Sequence, residues 1–183
     1  MKKTLVVLSV ALVIAGITFV ASHSNGPARS EEVLTMNVSY AADVENPRVL
    51  AGFADNIFLG KVMVKQNTVY RKGHRDMPWT PYEVRVTKNI KGELGGAVSV
   101  LQEGGYSPED GRTYLVNRDQ LLKPGAEYLF VTRADGASNM HVLVPVYGDI
   151  RVKDTRDRRA LLEGFTAAVG RQIPFQEPKQ IRQ

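Results

Sequence analysis

Between Ala54 and Val152 apolar side chains recur at every second position in short runs, each closed by glycine, proline or charged residues. In "NIFLGKVMVKQNTVY", Val62 and Val64 alternate with Lys61, Met63 and Lys65; in "PYEVRVTKNIKG", Tyr82, Val84 and Val86 alternate with Glu83, Arg85 and Thr87. A period of two puts one set of side chains on a buried face and the other in water, so both stretches are predicted strands. "GAVSVLQEGG" continues the pattern through Val98 and Val100, and "TYLVN" is a short strand. "KPGAEYLFVTR" rises from a Pro-Gly turn into Tyr128, Leu129, Phe130 and Val131, and "MHVLVPVYGDIRV" adds a last run that Pro145 turns into an edge or a bend. Successive strands without intervening helices predict a barrel or sandwich. Only "DTRDRRALLEGFTAAVGRQ" changes to helical spacing. Leu161, Leu162, Phe165 and Val169 form its apolar stripe, Asp154 or Thr155 its N-cap, and Gly170 falls just past its end. The stripe is expected to pack on the strands, with Arg156, Arg158 and Arg159 on the opposite face.

The N-terminus follows another logic. Lys2 and Lys3 precede an apolar run, Leu5–Ala21, which Gly16 and Thr18 interrupt but do not stop, and then small polar residues, the order of a secretory signal peptide. As a helix the run would be about 25 Å long, close to the roughly 30 Å of a hydrocarbon core, so an uncleaved membrane anchor is the alternative. Either way the expected location is secreted or extracytoplasmic, with a tether to the cell membrane only if the segment is retained. The chain has no cysteine, which excludes disulfides, thiolate metal sites and lipid attachment through a lipobox. Removing residues 1–22 leaves a chain long enough for one domain with its own core. It also removes Lys2 and Lys3, leaving 22 basic against 19 acidic residues, a balance of +3. That surplus is small and interspersed, so no nucleic-acid partner is expected.

Four strings, "ADNIFLGKVMV", "YEVRVTKNIKGEL", "VSVLQEGG" and "LKPGAEYLFVTR", together resemble the netrin/TIMP-type OB barrel, in its cysteine-free form found in exported bacterial proteins. The resemblance spans about residues 51–152. It implies a mainly β fold: an OB-like closed or partly open barrel of five to six antiparallel strands, one C-terminal α-helix and the N-terminal signal or anchor helix. The expected organisation is 1–22 signal peptide or anchor, 23–50 linker with a leading strand in "EEVLTMNVS", 51–170 barrel with its helix, and 171–183 a flexible tail. Metalloprotease inhibitors of that family depend on an N-terminal cysteine and cysteine-tied architecture, both missing from this chain.

Catalytic patterns are scarce. His23, His74 and His141 form no H-E-x-x-H or H-x-x-x-H pair, and no G-x-S-x-G elbow, GxGxxG or P-loop occurs. "SPEDGR" lacks the ligand spacing of a calcium loop. No catalytic residue, metal or cofactor is therefore expected. In "LQEGGYSPEDG", Gly104 and Gly105 are expected to let the backbone leave the sheet, with Tyr106 over the barrel end and Pro108–Gly111 as an acidic turn. The better binding candidate is the segment 65–81, "KQNTVYRKGHRDMPWTP", read as a loop joining the first two strands. It gathers Tyr70, Arg71, Lys72, His74, Arg75 and Trp79. Cations around aromatic side chains, with Tyr106 nearby, fit a protein partner or an anionic cell-envelope polymer. The expected function is an exported, non-enzymatic binding module. The alternatives are an extracytoplasmic hydrolase whose carboxylates converge only in the fold, and a protease-inhibitor-like module.

Overall fold

A computed structural model of the chain describes residues 32–39, 43–71 and 74–175, without the side chains of residues 74–76. The signal or anchor segment and residues 176–183 of the tail lie outside the described residues. In chain order the elements are β1 (Val33–Met36), α1 (Pro47–Phe53), β2 (Asn56–Lys65), β3 (Val69–Arg71), β4 (His74–Lys91), β5 (Ala97–Glu103), β6 (Gly105–Ser107), β7 (Arg112–Val116), β8 (Glu127–Asp135), β9 (Met140–Leu143), β10 (Asp149–Arg151) and α2 (Thr155–Gly170). The chain is mainly β. No helix of the described residues is long and apolar enough to cross a membrane.

Five strands pair in a circuit: β8 with β2, β2 with β4, β4 with β5, β5 with β9, and β9 again with β8. β10 lies beside β8 and β3 beside β4, while β1, β7 and β6 form a separate small sheet. The all-antiparallel expectation needs one correction. β5 and β9 run parallel, as do β1 and β7. Geometry demands the first exception, because a ring with an odd number of strands cannot alternate direction all the way round.

Two apolar clusters stabilise this ring. Phe58, Val62, Tyr82, Val84, Val100, Tyr128 and Phe130 fill one side of the sheet, with Phe58 and Phe130 stacked at 5.1 Å between centroids. Ile57, Leu59, Leu129 and Val131 point to the other side and meet Leu50 and Ala51 of α1 and Phe165 and Ala168 of α2. Ile57–Leu59 of β2 and Tyr128–Val131 of β8 are thus covered on both faces, which is why these stretches read as apolar runs instead of alternating. The alternation predicted for Val62 and Val64 fails at Val64, which is 48% exposed, because the register with β4 shifts between these two residues.

The stretch read as linker contains the expected leading strand, β1, but also α1. Asn46 caps that helix, its side-chain oxygen accepting from the Arg48 N–H at 3.0 Å, and Pro47 opens it. The predicted stripe of α2 does face the strands. Phe165 is buried, and Leu161, Leu162 and Val169 pack at the margin. Asp154 is the N-cap, accepting from the N–H groups of Arg156 and Asp157 at 2.8 Å each. Gly170 is the last helical residue and Arg171 the cap. From the end of β4, Lys91 Nζ donates to the carbonyls of Ala51 and Ala54 at 2.8 and 2.6 Å and to Gln172 Oε1 at 2.9 Å, tying both helix ends to the sheet.

Candidate functional site

Much of the segment read as a loop is sheet. β3 and the start of β4 pair as a hairpin, with Val69 opposite Trp79 and Tyr70 opposite Pro78. Pro78 and Pro81 give no N–H to a ladder. Their carbonyls still accept: Gly104 N–H donates to Pro78 O at 2.8 Å and Gln66 N–H to Pro81 O at 2.9 Å. The hairpin therefore stands as a wall against β6 rather than as a free loop.

Of the predicted site residues, Tyr70, Arg71 and Trp79 have described side chains on this wall. Tyr70 is half-buried, and its hydroxyl donates to Ser107 Oγ at 2.8 Å, joining β3 to β6. Arg71 lies 5.1 Å over the Trp79 ring and bonds Asp135 Oδ2 at 2.6 Å. Trp79 is only 5% exposed, so its indole acts as an inner support beneath Arg71 rather than as a surface anchor. Asp135 also accepts from the Ser138 hydroxyl at 2.7 Å and the Ala137 N–H at 3.2 Å. These bonds, the serine's first, hold its carboxyl below the usual range, with Arg71 adding to the effect. Lys72 lies outside the described residues. Of His74 and Arg75 only the backbone is described, at the start of β4.

Tyr106 is 45% exposed, the most open aromatic side chain of the region. Gly104 and Gly105 take φ of +110° and +146°, so the backbone does leave the sheet there as the sequence implied. A Cβ on Gly105 would collide with Thr80 Oγ1 and sit 3.1 Å from Thr68 Oγ1. Thr80, fully buried, donates to Gly104 O at 2.7 Å. β6 is thereby pressed against the hairpin. Between them runs a groove of about 450 Å³, lined by Lys65, Gln66, Asn67, Thr68, Tyr106 and Pro108. Residues 108–111 form the expected turn. Its Asp110 accepts from the Tyr114 hydroxyl at 2.6 Å and the Arg112 N–H at 3.2 Å, and the tyrosine bond depresses its pKa most.

A second cavity, of about 130 Å³, was not foreseen from the sequence. Asp119, Lys123, Tyr128, Asp149 and Arg151 are among its lining residues. Burial, followed by the nearby Asp119 carboxylate, pushes Asp149 up to about 8. Burial also raises Asp119, against the N–H groups of Val146 and Gln120 that favour its charged form. The two acids bracket one proton that neither yields readily. Gln102 orders the adjacent loop, its Nε2 donating to Gln120 O at 3.1 Å and its Oε1 accepting from Leu122 N–H at 3.0 Å. Thirty residues separate the two aspartates, so no local spacing could have flagged the pair; the only hint was an acid inside the apolar run "VPVYGDIRV".

The described domain is thus a mainly β fold with a ring-like sheet, a preformed polar groove and a separate carboxyl pair. No protein-family model matches the chain, and no curated protein matches it.

Proposed function

We propose that the protein is an exported, non-enzymatic binding module of OB type, and that its ligand face is the groove between the β2–β3 turn and β6. The circuit order of its strands, first-second-third-fifth-fourth with the third and fifth parallel, supports the OB reading and the kinship with netrin/TIMP-type barrels. The N-terminal Lys2-Lys3 and apolar Leu5–Ala21 support export. One observation carries the binding reading: Tyr70–Ser107 and the Gly105–Thr80 contact brace both walls, while Tyr106 stays open above them. A preformed concave site spares a ligand the cost of ordering its walls. Sedimentation of the full chain with envelope fragments of the producing cells tests this. Co-sedimentation lost on Tyr106→Ala is the expected result; no association of the unaltered chain overturns it.

A hydrolase is the second reading, favoured by Asp119 and Asp149 meeting at one cavity. A proton-sharing carboxyl pair can act as acid and base. Turnover of envelope glycan or peptide bonds that vanishes in Asp149→Asn would establish it, and the binding module predicts no such turnover.

A further inference from the structure

Resting on that binding reading, we infer that the groove takes a saccharide: a short stretch of neutral or weakly charged glycan laid across Tyr106 and the β2–β3 turn. The chemistry of its walls carries this inference. Gln66, Asn67 and Thr68 follow one another along the turn and place two amides and a hydroxyl side by side. Each of these groups both donates and accepts, which is what adjacent sugar hydroxyls require. Gln66 and Asn67 are exposed, and among the described residues neither side chain is engaged in another bond. Across the groove, Tyr106 offers an aromatic surface on which the C–H face of a sugar ring packs, and its hydroxyl end lies 3.9 Å from where a Cβ on Gly111 would stand. The tyrosine is therefore laid back along the 108–111 turn.

Charge narrows the class. Among the described residues, Lys65 is the one cation lining the groove, and no carboxylate lines it. Arg71, the nearest other described cation of the hairpin, is neutralised by Asp135 at 2.6 Å. A polyanion is held by several cations acting together, and one ammonium cannot do that. A protein partner docks best where large apolar or aromatic anchors enter pockets and charge is depleted. Here the walls offer one tyrosine and one proline among four polar side chains. The volume, about 450 Å³, falls within the usual range of small-ligand sites, so a few sugar units are engaged rather than a broad surface.

The test uses the full chain and envelope fragments in three forms: untreated, protease-digested, and oxidised with periodate, which cleaves vicinal diols of sugars. The inference predicts that co-sedimentation survives the protease and is lost after periodate. It also predicts at least a tenfold weakening in Tyr106→Ala, recovery in Tyr106→Trp, and little change between low and high salt. An unaltered thermal midpoint in Tyr106→Ala shows that the loss is local, and Gln66→Ala with Asn67→Ala gives a second loss independent of the tyrosine. Binding that resists periodate but fails after protease overturns the saccharide and leaves the binding module standing, with a protein as its ligand. Binding abolished by salt alone makes the ligand a polyanion, which also overturns it. Full binding by both variants moves the site elsewhere. Failure of the untreated fragments to bind defeats the underlying reading itself.

Discussion

Asp149 holds its proton to about pH 8 in the folded chain, whereas an unfolded aspartate releases it near 4. Its folded-state pKa is raised, so the stabilising form is fully present at low pH and is lost as pH climbs from about 4 to 8. The groups that face it decide the size of the effect: the Asp119 carboxylate opposes ionisation, the Tyr82 phenol, itself raised by burial, stays neutral throughout this range, and Tyr128, Lys123 and Arg151 line the same cavity. Denaturant titrations across that window should show stability falling with pH. Asp149→Asn should flatten the slope and raise stability at pH 8 by about 2 kcal/mol; an unchanged slope would mean that the two acids do not share a proton. Trp79 is a second residue whose role differs from its appearance. In sequence it stands between two prolines among cations and reads as a surface anchor, yet it is 5% exposed beneath Arg71. Composition around a tryptophan reports which partners are near, not which side of the ring meets water. Trp79→Ala should therefore cost about 3 kcal/mol of folding stability, measured by chemical denaturation.

Among the elements, strand positions were legible wherever one face meets water. Tyr82 and Val84 alternate with charged residues and are fully buried, as a period of two requires. The predicted face of α2 was equally legible, since Phe165 and its neighbours repeat at helical spacing. Phe165→Ala should destabilise the domain by about 3 kcal/mol without touching the groove, a separation that thermal melts and sedimentation together would reveal. Less legible were α1, only seven residues long, and the β3–β4 hairpin, whose Pro78 gives no N–H to a ladder yet stands opposite Tyr70 and accepts from the Gly104 N–H. Lys91 illustrates a further limit. It ends a strand pattern and looks like a solvated cation, but burial lowers its pKa and three oxygens hold it between α1 and the residues after α2. Lys91→Met should cost about 2 kcal/mol by leaving the Ala51 and Ala54 carbonyls without their donor, whereas a surface lysine would cost almost nothing.

For the whole molecule, the ring of five strands explains how a chain without cysteine holds together. Ile57–Leu59 of β2 and Tyr128–Val131 of β8 bury both faces, one inside the ring and one under the helices, so two clusters share their backbone. That duplication buries apolar surface on both faces of the same strands, so the domain needs no disulfide cross-link. The ring also leaves the β2–β3 turn and β6 at one corner, where short elements reach water and Tyr106 stands open. The fold class was visible in the sequence because periodicity is local; the groove was not, because its walls come from residues about forty positions apart and only closure of the sheet brings them together. The most direct test is co-sedimentation of the full chain with envelope fragments, compared with Tyr106→Ala. Loss of binding by the variant, at an unchanged thermal midpoint, is the result this account predicts; equal binding by the two proteins would contradict it.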